Sequence, residues 1–151
     1  QSTLSAEEVA LINQGGLHLG LVIDEHKVEF GPGDFLVRNV MGADQDNGAL
    51  QIGAEVDVGA TVQFHLRDAA AADADLHAVL DGATADAALL FTCNGRGRRL
   101  FGRPGHDAGA LAEAVGPVPT AGLFCAGEFG PVSGRNFLHG FTASIALFSR
   151  R

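Results

Sequence analysis

The first half of the chain carries short apolar runs that Gly-rich and Asp-rich segments separate. Runs of this length, rich in β-branched residues or alternating with polar ones, are typical of strands. Between the first two runs lies Gly31-Pro32-Gly33-Asp34, whose residue types favour a tight turn. We therefore predict an antiparallel pair or a longer ribbon, followed by two shorter strands. These strands are expected in residues 17–23, 35–40, 49–52 and 61–66.

Two segments of the first half have the pattern of helices. Residues 5–8 read Ser-Ala-Glu-Glu, which is a capping box, and apolar positions follow it until Gly15 and Gly16. The Ala-rich residues 69–80 place apolar side chains on one face and polar side chains largely on the other. A short N-terminal helix and a longer amphipathic helix are therefore expected.

The second half has longer apolar runs. It predicts a strand in residues 87–91, a helix in 107–115 and a second strand in 121–125. Strands this apolar on either side of a helix indicate a buried parallel pair. A last strand in residues 141–148 completes the sheet.

The predicted elements make one mixed α/β (α+β) domain, with a sheet that is partly parallel and partly antiparallel and is flanked by helices. A length of 151 residues is the usual size of one domain. We assign residues 1–16 to a helical lead-in and residues 17–151 to the domain itself.

The net charge and the lengths of the apolar runs argue against nucleic acid and membranes as partners. The 18 acidic residues against 10 Lys and Arg give a net charge of −8, the wrong sign for binding nucleic acid. No apolar run approaches the roughly 18 residues that a membrane-spanning helix needs.

Residues 1–16 contain no Lys or Arg, so no secretory leader is expected there. Cys93 and Cys125 each end an apolar run, where buried free thiols are common, which favours a reducing compartment.

Polar side chains gather where the two parallel strands end and just before the last strand, in residues 92–99, 125–130 and 133–140. Ligands of open α/β sheets bind at the carboxyl ends of parallel strands. Arg suits a carboxylate and Glu suits an ammonium group, so the set fits an amino acid or a similar small acid. The candidate ligand-binding residues are Asn94, Arg96, Gly97, Cys125, Glu128, Arg135, Asn136 and His139.

The segment from Leu123 to Ala143 resembles the closing signature of the C-terminal domain of the FIST family. It reads LFCAGEFGPV and, after Ser133, GRNFLHGFTA. Residues 91–97 and 35–40 are similar to earlier parts of the family. The resemblance implies a cytoplasmic sensory module of bacterial type that binds a small ligand such as an amino acid. It also implies a FIST N-terminal domain as partner, outside this chain.

Two other functions fit the same residues. In the first, the candidate residues form an internal network of a structural or protein-interaction domain, and Arg135→Ala would lower stability rather than ligand affinity. In the second, Cys125 is the nucleophile of a thiol enzyme, with His139 as base and Glu128 or Asn136 as orienting group. We favour a domain that is not an enzyme and has no catalytic residues.

Metal and nucleotide sites are not expected. The six histidines lie in separate predicted elements without zinc-site spacing. The Gly-rich loops lack the lysine pattern of phosphate-binding loops and the dinucleotide fingerprint. The sequence therefore predicts no metal and no cofactor.

Overall fold

The computed structural model describes residues 4–132 and 134–150, so residues 1–3, Ser133 and Arg151 lie outside the description. The chain divides into two compact units, residues 1–68 and 69–151. Helices accompany antiparallel pairs in the first unit and a mixed parallel and antiparallel sheet in the second. The predicted mixed α+β class is confirmed. No helix of the described residues is long and apolar enough to cross a membrane.

The first unit begins with α1, Ala6–Leu11, whose predicted capping box is confirmed. The Ser5 hydroxyl accepts the backbone N–H of Glu8 at 3.2 Å, and the Glu8 carboxylate accepts the backbone N–H of Ser5 at 2.7 Å. A π-helical turn, Ile12–Gly16, follows α1. It contains Gly15 at φ +80°, a conformation that glycine adopts without strain.

The sheet of the first unit is antiparallel throughout, with the order β3-β2-β1-β4. Its strands match the predicted ones to within a few residues: β1 is Leu17–Val22, β2 Phe35–Ala43, β3 Leu50–Ile52 and β4 Val62–Leu66. In β4 the imidazole of His65 is half-buried against Gly20, whereas Phe64 is 59% exposed. A Cβ on Gly20 would clash with the imidazole of His65, so a larger residue there would force that side chain to move.

In the second unit, β5, Ala87–Cys93, is the centre of a three-stranded sheet. It pairs in parallel with β6, Thr120–Cys125, and antiparallel with β9, Ala143–Phe148. Helices α2, Ala69–Leu80, and α4, His106–Val115, contribute to a core with β5. That core contains Leu76, Leu80, Ala88, Leu90, Ala110 and Leu111. A short helix, α3, Arg98–Phe101, follows β5.

Two predictions for the second unit need correction. The parallel pairing of β5 and β6 is confirmed, but β6 is not buried: it lies at the edge of the sheet, and Thr120–Phe124 are exposed. The predicted polar loops contain a hairpin of β7, Glu128–Val132, and β8, Arg135–His139. Because these segments are rich in Gly and polar residues, they lack the clear alternation of apolar and polar positions that identifies strands in a sequence.

Candidate functional site

Arg96 is held inside the second unit by an ion pair with Asp107. Its Nε donates to Oδ2 of Asp107 at 2.8 Å, and its Nη2 donates to Oδ1 at 2.9 Å. The exposed fractions are 7% for Arg96 and 4% for Asp107. The guanidinium also lies over the ring of Phe101, 5.1 Å from its centroid. The side chain predicted to hold a ligand carboxylate thus has a protein carboxylate as its partner.

His106 extends this ion pair into a network. Its Nδ1 lies 3.0 Å from Oδ1 of Asp107, and its Nε2 lies 2.7 Å from Oδ1 of Asp73. The imidazole stacks on Phe101 with the ring centroids 3.4 Å apart. The series Arg96, Asp107, His106 and Asp73 therefore connects the loop after β5 with α4 and α2.

The pKa of Asp107 reflects this network. Burial raises the pKa of the carboxyl, but the hydrogen bonds and charges of Arg96 and His106 outweigh burial and hold the pKa below its ordinary value of 3.8. Asp107 is therefore ionised at neutral pH and compensates the buried guanidinium. The network provides an internal structural role for Arg96.

Cys125 and Glu128 are in direct contact. The Cys125 Sγ lies 3.3 Å from Oε1 of Glu128 and donates to it, while the Thr142 hydroxyl donates to Oε2 at 2.9 Å. Glu128 is only 2% exposed, and these two protein donors provide hydrogen bonds to its buried carboxylate. Burial raises the pKa of the Cys125 thiol, and the hydrogen bond to Glu128 and its negative charge raise it further. This environment favours the protonated thiol over the nucleophilic thiolate.

We expect Cys125 to react slowly with iodoacetamide at pH 7.5, more slowly than free cysteine, and Glu128→Gln to speed the reaction several-fold. Removal of the carboxylate charge lowers the pKa of the thiol, and each unit of lowering raises the thiolate fraction about tenfold. Mass spectrometry of a Cys93→Ala background follows Cys125 alone. Labelling of the parent Cys125 faster than free cysteine would instead favour the thiol-enzyme hypothesis.

The β7–β8 hairpin places three further candidate ligand-binding residues, His139, Arg135 and Asn136, at different positions relative to Glu128. Glu128 is paired with His139, and the two share a face because opposed residues of an antiparallel pair point the same way. Nε2 of His139 lies 3.0 Å from the Gly130 carbonyl oxygen. Arg135 is at the other end of the hairpin, with its guanidinium over Phe137 at 5.4 Å. Asn136 follows Arg135 in β8 and therefore faces the opposite side.

The loop after β5 carries the last two candidates. Asn94 is exposed, and its backbone N–H donates to the Cys125 carbonyl oxygen at 2.8 Å. Gly97 is buried at φ +65°, and a Cβ there would lie 3.6 Å from the Phe124 ring. The structure thus brings Asn94, Cys125, Glu128 and His139 into one region, but not Arg135 or Asn136. A ligand-binding role for these residues stays a prediction.

A small cavity of about 290 Å³ lies beside the parallel strands. It is bounded by β5 at Leu90 and Thr92, by β6 and by the first turn of α4. Of the predicted residues, Gly97 lines it. A concave space where parallel strands meet a helix N-terminus is a common place for a ligand.

Sequence reasoning missed several residues that organise this region. Asp107 is 11 positions from Arg96, and its partner could not be identified without the course of the chain between them. His106 and Thr142 carry no motif that links them to Asp73 or Glu128. The one signal in the sequence was Asp107 itself, an acid in the first turn of a predicted helix. Such an acid is explained equally well by its favourable interaction with the helix dipole.

Among the described residues, no group of three or more His, Cys, Asp or Glu side chains is placed to hold a metal ion. Cys93 and Cys125 are both free thiols, the first buried and the second partly exposed.

The fold and these sites define an α+β domain with a buried ion-pair network and a small cavity near the ends of its parallel strands. The chain belongs to the FIST C domain family, whose model matches residues 1–131. This membership suggests a sensory signal-transduction domain.

The chain is similar to mycobacterial proteins. It is 53% identical over 151 residues to uncharacterized protein Rv0628c of Mycobacterium tuberculosis and to uncharacterized protein Mb0898c of Mycobacterium bovis, with 96% of the chain covered in each case. The chain spans 39% of the length of these relatives. No solved structure matches the chain.

Proposed function

We propose that this chain is the ligand-binding half of a cytoplasmic FIST sensory module, that its ligand is an amino acid or a similar small acid, and that it catalyses no reaction. The observation that carries the proposal is the cavity of about 290 Å³ beside β5, β6 and the start of α4. Its volume is close to the lower end of ligand pockets, about 300 Å³, which suits a small molecule. Occupancy of the cavity would be signalled through the FIST N-terminal domain of the module.

A thermal-shift screen against amino acids and small organic acids tests this proposal. A ligand that binds only the folded chain stabilises it by about 2.7 kcal/mol at a hundredfold excess over Kd, which raises the melting temperature measurably. We expect selective shifts from a few chemically related acids. Arg135→Ala is the matched control, because Arg135 is exposed and is not part of the cavity lining, so the shift should persist. A screen without any shift would contradict ligand binding by this chain.

The second candidate is a protein-interaction domain. Phe129 and Leu138 are paired across the β7–β8 hairpin and are 75% and 53% exposed, which gives the hairpin an apolar outer face. Paired exposed apolar side chains of this kind suit a protein partner. Under this alternative Phe129→Ser would weaken binding to the FIST N-terminal domain in a pull-down, while thermal shifts with small acids would be absent.

A further inference from the structure

Strand β6 has the sequence of an interior strand and the surroundings of an edge. Of its six residues only Thr120 is polar, and this lack of alternation is typical of strands that are buried on both faces. Leu123 and Phe124 follow one another and therefore point to opposite faces, and they are 58% and 59% exposed. Both faces of β6 thus expose a large apolar side chain that its sequence suits to burial.

The free edge of β6 carries a regular row of backbone groups. The N–H of Ala88 donates to the carbonyl oxygen of Pro119 at 3.0 Å, and the N–H of Asn94 donates to that of Cys125 at 2.8 Å. Backbone groups alternate between the two sides of a strand, so the odd-numbered residues here face β5. In the described part of the chain β5 is the only strand paired with β6. The residues whose N–H and C=O groups point to the free edge are Thr120, Gly122 and Phe124.

Such a row of backbone groups is matched by an extended segment of another chain or domain. An added strand pairs with the free N–H and C=O groups, and its side chains cover the faces of the edge strand. The opposite edge of the sheet is partly occupied, because the Ser144 hydroxyl of β9 donates to the Phe129 carbonyl oxygen of β7 at 2.8 Å. β6, exposed from Thr120 to Phe124, is the more open edge.

Charge and chain length favour one source for the added strand. Two copies of this chain each carry a net charge of −8 and repel one another. The chain spans 39% of the length of its mycobacterial relatives, so more than half of each relative lies outside the matched region. A neighbouring domain of the same polypeptide meets a sheet edge at a high effective concentration. A strand from such a domain is therefore favoured over a strand from a second copy.

We propose that β6 is the docking edge for a strand of the FIST N-terminal domain, which pairs with Thr120, Gly122 and Phe124 and continues the sheet of the second unit. The proposal rests on the proposed function for the identity of the partner domain. Residues 120–124 also line the cavity of about 290 Å³. One strand thus borders both the ligand-binding space and the partner, which gives occupancy of the cavity a direct route to the N-terminal domain.

Residue-resolved hydrogen exchange of the β6 amides tests the docking edge. The chain is measured alone and preceded in one polypeptide by the FIST N-terminal domain. The outward amides of Thr120, Gly122 and Phe124 should exchange rapidly in the chain alone and at least about tenfold more slowly in the joined protein, because each gains an acceptor. The inward amides of Ala121 and Leu123 should be protected in both proteins.

Two results of this measurement would overturn the proposal. Equal exchange of the three outward amides in both proteins would show that no strand of the N-terminal domain pairs with β6. Slow exchange in the chain alone, together with the mass of a dimer in light scattering, would show that a second copy occupies the edge.

Substitutions at Phe124 separate strand pairing from contact between side chains. Phe124→Pro removes an outward N–H, and proline is tolerated at such edge positions, so the chain alone should keep its far-UV circular dichroism. In the joined protein this variant should speed exchange of the Gly122 amide at least about tenfold. Phe124→Val keeps the N–H and is the matched control, with exchange of Gly122 as in the parent. Protection of Gly122 that survives Phe124→Pro would contradict strand pairing at this edge.

A proline one residue earlier checks which backbone groups form the free edge. The N–H of Leu123 faces β5, so Leu123→Pro should destabilise the chain alone, unlike Phe124→Pro. If Leu123→Pro is tolerated and Phe124→Pro is not, the assignment of the outward groups is wrong and the docking edge fails with it.

The ligand screen and the exchange measurement have separate outcomes. If small acids shift the melting temperature and the outward amides stay unprotected in the joined protein, the docking edge is wrong and the proposed function stands. If the outward amides become protected and no acid shifts the melting temperature, the proposed function fails and the docking edge stands.

Discussion

The Asp107→Asn variant is expected to lower the free energy of unfolding by about 3–5 kcal/mol, because it leaves the buried Arg96 guanidinium without a compensating charge. Arg96 is 7% exposed and donates to both carboxylate oxygens of Asp107, at 2.8 and 2.9 Å. Urea unfolding followed by far-UV circular dichroism measures the change. The chain contains no Trp or Tyr, so intrinsic fluorescence is a poor probe. Hydrogen exchange of peptides from β5 assigns the loss to the second unit.

Two further variants make this result specific to the buried pair. Asp86→Asn removes the carboxylate that contacts Arg150 on the surface, and it should leave the urea midpoint unchanged. The double variant Arg96→Met and Asp107→Leu replaces the pair with apolar side chains and should recover much of the lost stability. If Asp107→Asn has the same urea midpoint as the parent chain, the buried guanidinium does not need the Asp107 carboxylate as its partner.

The same pair predicts how the stability changes with pH. The pKa of Asp107 is lowered in the folded chain, so its stabilising contribution is complete above the ordinary value of 3.8. It is lost as the pH falls below 3.8 and through the lowered pKa of the folded state. The difference in stability between the parent and Asp107→Asn should therefore narrow in strongly acidic solution.

The Gly122→Ala variant is the second large expected effect: we predict a loss of more than about 3 kcal/mol in the free energy of unfolding, with β6 detached from β5. Gly122 is paired with Leu90 across these strands. A Cβ at Gly122 would lie 1.9 Å from the Leu90 carbonyl oxygen, which is backbone and cannot rotate away. Far-UV circular dichroism and hydrogen exchange of the Leu90 amide report the outcome.

Gly109→Ala is the matched control for Gly122→Ala. Gly109 lies within α4, and a Cβ there would meet no atom within 4 Å. Because alanine favours the helix, we expect this change to raise stability by about 0.5–1 kcal/mol. If both glycines tolerate alanine equally, the close approach of β6 to β5 is not a constraint on the sequence.

The sequence predicted the regular elements well where one physical signal dominated. Apolar runs identified β5 and β6, and their separation by a helix identified the parallel pair. The capping box at Ser5 and the Ala-rich pattern of residues 69–80 identified α1 and α2. The β7–β8 hairpin was missed because its Gly and polar residues resemble a loop, and its pairing depends on contacts that local pattern does not contain.

The candidate site was predicted less well, for a physical reason. Residue type identified Arg96 and Glu128 as important, and both are buried with defined partners. Those partners lie 11 and 14 positions away in the sequence. The same side-chain chemistry serves an internal ion pair and a ligand contact. Thr92, by contrast, was the first residue of the predicted polar segment 92–99, and its unpaired hydroxyl became visible only with its surroundings.

The exposed position of β6 also affects how the protein behaves in concentrated solution. Thr120–Cys125 form an edge strand of the three-stranded sheet, and the segment contains neither a charged residue nor a proline. Natural edge strands usually carry such residues because an unprotected edge adds strands from other molecules. Leu123 and Phe124, 58% and 59% exposed, make that addition more favourable. Self-association of the isolated chain would begin at this strand, and a lysine in place of Leu123 is the change that would limit it.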